Sequence, residues 1–459
     1  MSLSVAREIA YDAFVATMAQ RTKPEIFLEE AYKTYEKKLK RVDRAFIKEI
    51  LYGSLRWHSK LFWILQNTSK RNLDKSPQEV IAALVIGTYQ IYYMDRVPDR
   101  AAVNESVEYV RKKGQANACS FVNGILRQIA RRAEYFAKPS KTDEPIDYLS
   151  LQFAHPKWIV ERWFKTFKFD RTSQILSANN KVPVCSVRIN TLKTNHEDIQ
   201  SLQNELLKRE SLQSDRRPLR SALRLKTQPI TAPNSMFGEG YFTIQDESSQ
   251  LIGQMVAPEP GQAIVDTCSG PGGKLSNIYE LGKGELTLTA IEKDQGQLEK
   301  AQKAMARLGH TNVTWVHSDF LEWQAEEKQD KVLLDAPCTG LGVLRRHPEG
   351  KWHKTENAIP KMAAKQFELI QHALKQLKAG GELIYSVCSF EPEESDHHIK
   401  ELKQKYGNKV EVISPKGRIP DYFRKYVTRN EVLAIYSGNP DEMDGFASFI
   451  VKLAAPIEE

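Results

Sequence analysis

KVLLDAPCTGLG, residues Lys331 to Gly342, decides how the rest of the chain is read. Val332, Leu333 and Leu334 are a short apolar run of the kind shown by a strand buried on both faces. The run ends in Asp335-Ala336-Pro337-Cys338, which puts a carboxylate and a thiol at the carboxyl end of a strand, where open α/β sheets hold their ligands. Pro337 fixes its own φ and turns Ala336 away from helix, so the chain leaves the strand extended, and Thr339 to Gly342 continue as a loop. A second thiol, Cys388, closes a later apolar run, Glu382 to Val387. If the two runs are neighbouring strands, both thiols face one cleft. A lone cysteine is ordinarily a small buried hydrophobe; two at matching strand ends, one inside an Asp-x-Pro turn, point to chemistry.

Upstream, Ala263–Asp266, Leu286–Ile291 and Val313–His317 are further strand candidates, and helix-length segments separate them. Strands alternating with helices predict a doubly wound parallel sheet. Glu431–Tyr436 and Phe446–Val451, joined by a short link, are expected as an antiparallel edge. The first strand leads into Asp266-Thr267-Cys268-Ser269-Gly270-Pro271-Gly272-Gly273-Lys274, whose small residues let backbone N–H groups approach a ligand at a helix N-terminus. This is neither G-x-G-x-x-G nor a Walker loop, which disfavours a dinucleotide or a triphosphate. Glu292, after the second strand, suits two ribose hydroxyls. Asp319 and Asp335 follow the third and fourth strands, so that with Asp266 one acid stands at each of four strand ends. Such a row, with only Lys274 basic, fits S-adenosylmethionine better than a phosphate-rich cofactor.

The chain has 459 residues, too many for one core, so two or three domains are expected. Its 41% apolar and 27% charged residues are those of a soluble globular protein. No run approaches the roughly 18 apolar residues of a membrane span, and no basic-then-apolar leader opens the chain. Five cysteines without a C-x-x-C pair argue against zinc or a disulfide framework and for a reducing, cytoplasmic setting; no metal is expected. Residues 1–150 hold 25 Lys and Arg against 18 Asp and Glu, and so carry +7 of the net +8. That imbalance suits a polyanion such as RNA.

Residues 1–135 read as all-helical, with periodic apolar segments at Val42–Gln66, Pro77–Met94 (Ser76 as N-cap), Ala101–Lys113 and Ala116–Ala133. A linker is expected at 136–147. Residues 148–250 mix a helix at Trp158–Phe169, a strand at Pro183–Asn190, a helix at Glu197–Arg209 and a strand at Gly240–Gln245, which predicts a small α/β RNA-binding module. Residues 251–459 form the expected catalytic domain.

A thiolate beside a methyl donor suggests attack on a poor nucleophile such as carbon 5 of a pyrimidine. Thiolate addition at carbon 6 makes carbon 5 enolate-like; the second thiol can then assist release. Asp335 is placed to hold the base. The base must be unstacked or already single-stranded. On residues alone the two thiols cannot be ranked.

These motifs closely resemble the bacterial RsmB-type RNA (cytosine-5) methyltransferases. The resemblance rests on residues 266–274, on Asp335–Cys338 with Gly340, Gly342 and Arg345-Arg346-His347-Pro348, and on Cys388-Ser389 with Pro392-Glu393-Glu394. It extends to Arg188-Ile189-Asn190, Gln245–Gln250 and Asp444-Gly445-Phe446, while Asp43–Phe46, Ala102–Val107 and Phe121–Arg127 resemble a NusB-type helical domain. The resemblance implies a Rossmann-like, S-adenosylmethionine-dependent methyltransferase domain preceded by the small α/β module and a NusB-like RNA-binding domain. Cys388 would be the nucleophile and Cys338 the thiol aiding product release. Cys268, Ser269, Gly270, Pro271, Gly272, Gly273 and Lys274, with Glu292, Asp319 and Asp335, would bind S-adenosylmethionine. The partner would be 16S ribosomal RNA, with no role for DNA or a membrane. Ser269-Gly270 stands where the family has Ala-Ala, Leu275 replaces a hydroxyl residue, and Val387 replaces the usual Thr before the nucleophile. Rival readings are the same chemistry on another RNA, such as tRNA, and a non-catalytic RNA-binding factor.

Overall fold

The computed structural model describes residues 3–131, 138–193, 199–209, 214–216, 218–226, 229 and 231–457. Contacts divide the chain into two compact units: residues 1–181 with 344–356, and residues 182–343 with 357–459.

The first unit is helical: α1 (Val5–Gln20), α2 (Pro24–Thr34), α3 (Arg41–Thr68), α4 (Gln78–Tyr93), α5 (Asp99–Lys112), α6 (Cys119–Ala130), α7 (Pro145–Phe153) and α8 (Lys157–Asn179). α4 is apolar on every side because it is the central helix: Val80 and Ala82 to Ile91 are all buried, against α1, α3, α5 and α6. Pro77, not the expected Ser76, flanks it, with no side-chain cap. The periodicity that stops at Phe169 resumes beyond a kink at Lys168 (φ 60), so α8 runs on to Asn179. Part of the expected linker, 136–137, lies outside the described residues; from Pro145 onward its sequence is already α7.

The second unit opens with β1 (Cys185–Ile189), α9 (Ile199–Arg209), β2 (Ser214–Arg216), β3 (Ala222–Leu225) and β4 (Phe242–Ile244). These four strands form an antiparallel sheet in the order β2-β3-β1-β4. The expected start of α9, Glu197, lies outside the described residues. Then follow α10 (Glu247–Val256), β5 (Ala263–Asp266), α11 (Gly273–Leu281), β6 (Thr287–Glu292), α12 (Gln295–Leu308), β7 (Val313–His317) and β8 (Gln329–Asp335). The short α13 (Gly350–His353) packs with the first unit. The second resumes with α14 (Ala358–Lys375), β9 (Leu377–Val387), α15 (Asp396–Tyr406), β10 (Val410–Ile413), β11 (Leu433–Ile435) and β12 (Phe446–Leu453).

The larger sheet runs β10-β12-β9-β8-β5-β6-β7, with β11 paired to β12. β5 to β9 are parallel, as the alternation predicts. The closing pair is antiparallel, but β12 is interior rather than an edge, lying between β9 and a strand missed in the sequence, β10. Seven of its eight residues are buried.

The inserted stretch 344–356 is tied into the helical unit by polar contacts. Lys351, fully buried, donates to Arg56 O (3.1 Å), Ala154 O (3.2 Å) and Asn180 Oδ1 (2.7 Å). Trp352 Nε1 donates to Leu55 O at 2.7 Å. Arg345 to Pro348, only a few residues beyond the Asp-x-Pro turn, therefore belongs to the first unit. Among the described residues no helix is long and apolar enough to cross a membrane.

Candidate active site

From β5 and β8 the strand order runs outward in opposite directions, so their carboxyl ends flank the switch point at which such sheets bind ligands. A cavity of about 190 Å³ opens there, lined by Thr267, Cys268, Glu292, Lys293, Asp319, Phe320 and Asp335, with Lys365 and Leu369 of α14, so that Lys274 is not, as the sequence suggested, the one basic residue of this end.

Its floor is the turn after β5. Gly270 N–H donates to Glu292 Oε2 at 2.9 Å, which ties the turn to the end of β6. Gly272 caps α11 at φ +84, and an added Cβ would lie 3.2 Å from Ala301 Cα, so the conformation and the close approach of α12 both call for glycine. Lys274, in the first turn of α11, donates to Asp335 Oδ2 at 2.6 Å. Burial opposes its charge, but the Asp335 carboxylate outweighs burial and holds the ammonium above its ordinary pKa. Asp335 Oδ1 accepts from Ser386 Oγ at 2.8 Å, directly across the β8–β9 pairing. A carboxylate fixed at both oxygens still has lone pairs to offer a ligand.

Behind the turn, Asp266 is 1% exposed and neither carboxyl oxygen makes a well-formed hydrogen bond. Burial, then the charge of Asp335, pushes its pKa up to about 7. Ser269 Oγ is likewise buried without a partner. Native structures seldom leave such groups unmatched, and a cationic or donor-rich ligand is what they lack. Cys268 is not a reactive thiol here: burial and the surrounding carboxylates push it up to about 12.

The two other thiols meet. β8 and β9 are adjacent, and the turns beyond them carry Cys338 and Cys388, whose sulfurs are 3.0 Å apart. They are not joined as a disulfide, which needs about 2.05 Å. Contact with Cys388, and then burial, holds the Cys338 thiol well above its ordinary pKa. Glu394 anchors the Cys338 loop: it accepts from Thr339 N at 2.8 Å, Thr339 Oγ1 at 2.5 Å and Gln366 Nε2 at 3.0 Å. The Cys388 turn is backed by two glycines. Gly342 N–H donates to Cys388 O at 3.1 Å and Gly445 N–H to Gly342 O at 2.8 Å. A Cβ on Gly342 would fall 2.2 Å from Gly445 O.

Arg188 of β1 supports the cofactor end from below. Fully buried, it donates to both oxygens of Glu280 (2.8 and 3.0 Å), to Ser276 Oγ (2.8 Å), to Gly273 O (3.0 Å) and to Gln245 Oε1. Four of these five bonds hold α11, the helix whose first turn borders the glycine-rich segment.

Residues 268–274, Glu292, Asp319 and Asp335 thus gather at one sheet end, with Cys338 and Cys388 beside Asp335. Lys365, Leu369, Gln366, Phe320 and Glu394 were not singled out from sequence for the site. Three of them lie on α14, whose apolar periodicity reads as ordinary core, and only the Pro-Glu-Glu motif drew notice to Glu394.

Comparisons with known proteins agree with this architecture. Residues 253–454 match the 16S rRNA methyltransferase RsmB/F family, residues 4–131 the NusB family, and residues 155–231 the RsmF/B-like methyltransferase ferredoxin-like domain. The probable ribosomal RNA small subunit methyltransferase B of Bacillus subtilis (strain 168) is 28% identical over 455 residues, 97% of this chain and 98% of that one. The ribosomal RNA small subunit methyltransferase B of Escherichia coli O157:H7 is 31% identical over 81% of this chain and 84% of its own. The crystal structure of PH0851 superposes with a TM-score of 0.80 at 21% identity, covering 98% of this chain and 99% of the other, a likeness of fold.

Proposed function

We propose, from the premise that the chain belongs to the ribosomal RNA small subunit methyltransferase B family, that it methylates carbon 5 of a cytidine in 16S ribosomal RNA. The reaction passes through a covalent bond between Cys388 and carbon 6. The observation that carries this reading is the pair of thiol sulfurs, 3.0 Å apart, beside Asp335 at the edge of the acid-lined cavity. S-adenosylmethionine suits that cavity, because Glu292, Asp319 and Asp335 face it from strand ends, and the turn beside it holds buried oxygens of Asp266 and Ser269 without partners; bound there, it would supply an electrophilic methyl group.

The thiolate of Cys388 adds to carbon 6, and the ring electrons displaced by the new C–S bond raise the nucleophilicity of carbon 5. Contact with Cys388, then burial, holds the Cys338 thiol high, and the family resemblance assigns the attacking thiolate, with its negative charge, to Cys388. The Lys274 ammonium lies in the same electrostatic neighbourhood and favours that charge. Asp335, clamped by Lys274 and Ser386, accepts from the exocyclic amine and steadies the ring as charge shifts onto it. After methylation carbon 5 carries both the methyl group and its original proton. Loss of that proton to water returns the electrons to the ring and breaks the C–S bond, and Cys388 leaves as a thiolate towards the Cys338 thiol, which keeps its own proton and donates a hydrogen bond to the departing sulfur.

The test is methyl transfer to 16S ribosomal RNA by the purified chain and its two cysteine variants. Cys388→Ala should abolish transfer, and Cys338→Ala should accumulate a covalent protein–RNA band on a denaturing gel. That band arising only from the Cys388 variant would reverse the roles. Bisulfite sequencing of ribosomal RNA from a strain lacking the protein should show one cytosine mark lost; survival of every mark would refute the assignment.

A further inference from the structure

We propose that a cavity in the helical unit, between α3, the end of α4 and α7, seats one unpaired nucleotide of RNA, base against aromatic rings and flanking phosphates on Lys60 and Lys138. The inference rests on the ribosomal RNA reading above and adds a second contact site to it. The cavity is about 280 Å³ and is walled by Trp63, Tyr92, Tyr93, Tyr148 and Leu151. No carboxylate lines it among the described residues.

α4 is otherwise the most deeply buried helix of the unit, yet it ends with Tyr92 39% and Tyr93 37% exposed at this cavity. Tyr93 is held from behind by rings: its centroid is 5.3 Å from that of Tyr89 and 5.2 Å from that of Trp57, with interplanar angles of 20° and 17°. A ring already fixed in a stack loses little freedom when a base lies on it, and stacking on such platforms accepts any base. Lys60 lies 5.4 Å from the Trp57 centroid and makes only a 3.5 Å contact with Gln152 O. Burial, then the nearby Lys138 charge, lowers the Lys60 pKa. Two ammonium groups at the rim of an aromatic hollow with no acid in its lining complement a base with its phosphates. A cavity this small admits one base and not a helix, and unpaired nucleotides are what RNA presents to aromatic pockets.

The experiment measures binding of the full chain to a single-stranded oligonucleotide from 16S ribosomal RNA and to its duplex, beside wild-type methyl transfer to the full RNA. Tyr93→Ala should weaken single-strand binding about tenfold, and Tyr93→Phe should restore it to within about twofold, since the ring is what stacks. Lys60→Gln with Lys138→Gln should lower the slope of log affinity against log salt by about 1.4, two phosphates at about 0.7 each. Unchanged cofactor affinity and helicity in each variant exclude misfolding. Unaltered single-strand affinity in both sets, or an equal loss for the duplex, overturns the proposal while the methyl-transfer reading stands. Failure of the wild-type chain to bind or methylate the RNA overturns both.

Discussion

Asp266→Asn separates what the buried acid costs the empty protein from what it does for a ligand. In the folded chain its pKa is about 7, against an ordinary value of 3.8. A carboxyl whose folded pKa is raised contributes fully below the unfolded value and loses that contribution as pH rises through the folded one. Between about pH 4 and 7 the empty protein should therefore lose stability on this account. Each tenfold change in proton affinity is worth about 1.4 kcal/mol, so the rise from 3.8 to about 7 sets an upper bound near 4 kcal/mol, all of it lost above pH 7. Asparagine keeps the shape and carries no charge, so the variant should be the more stable form at pH 8 by about 2–4 kcal/mol and should converge on wild type near pH 4. The opposite sign is expected for S-adenosylmethionine, whose ammonium would meet the ionised carboxylate: the ratio of wild-type to variant affinity should grow about tenfold or more from pH 5 to pH 8. Urea titrations from pH 4 to pH 9 and calorimetric binding at the same pH values measure both quantities. A variant less stable than wild type at pH 8 would refute the strained acid, and an affinity ratio flat with pH would refute the cofactor contact.

Three other substitutions probe the scaffold. Gly342→Ala drives a methyl group to within 2.2 Å of Gly445 O and so displaces the backbone that receives Cys388; transfer should fall at least tenfold with cofactor affinity retained, and wild-type turnover would show that the corner yields freely. Arg188→Met leaves Glu280 buried and should cost about 3–5 kcal/mol by urea titration, with Arg188→Met/Glu280→Leu recovering part of the loss; a double variant no better than the single one would deny the coupling. Lys351→Met deserts three acceptors in the helical unit and should cost about 3 kcal/mol, read as an earlier loss of helical circular dichroism; an unshifted midpoint would mean that water replaces the ammonium.

What was legible in the sequence was whatever a local run could specify. Val332 to Leu334 had to be a buried strand, Pro337 had to turn it, and the small residues from Ser269 to Gly273 had to make a close turn into a helix, so the switch-point end of the sheet was readable from local runs. Partner choice is not local. Val410–Ile413 is a four-residue strand that pairs only because β12 lies beside it, and β12 is interior only because β9 and β10 flank it. Both are long-range pairings on which alternation is silent. Lys351 shows the same limit from the polar side. The run Lys351-Trp352-His353 has the composition of a solvated loop, and its burial follows only once acceptors from α3, from the residue ending α7 and from the residue capping α8 converge on one nitrogen. Ranking the thiols fell between these cases. Their strand ends were visible, but the contact and burial that raise the Cys338 thiol exist only when two turns, fifty residues apart, are brought to 3.0 Å by the β8–β9 pairing and by Glu394 and Gly445 behind them. The reactivity proposed for Cys388 is therefore a property of tertiary packing around a motif, in which Val387, fully buried on β9, is the neighbour that precedes the sulfur in the chain.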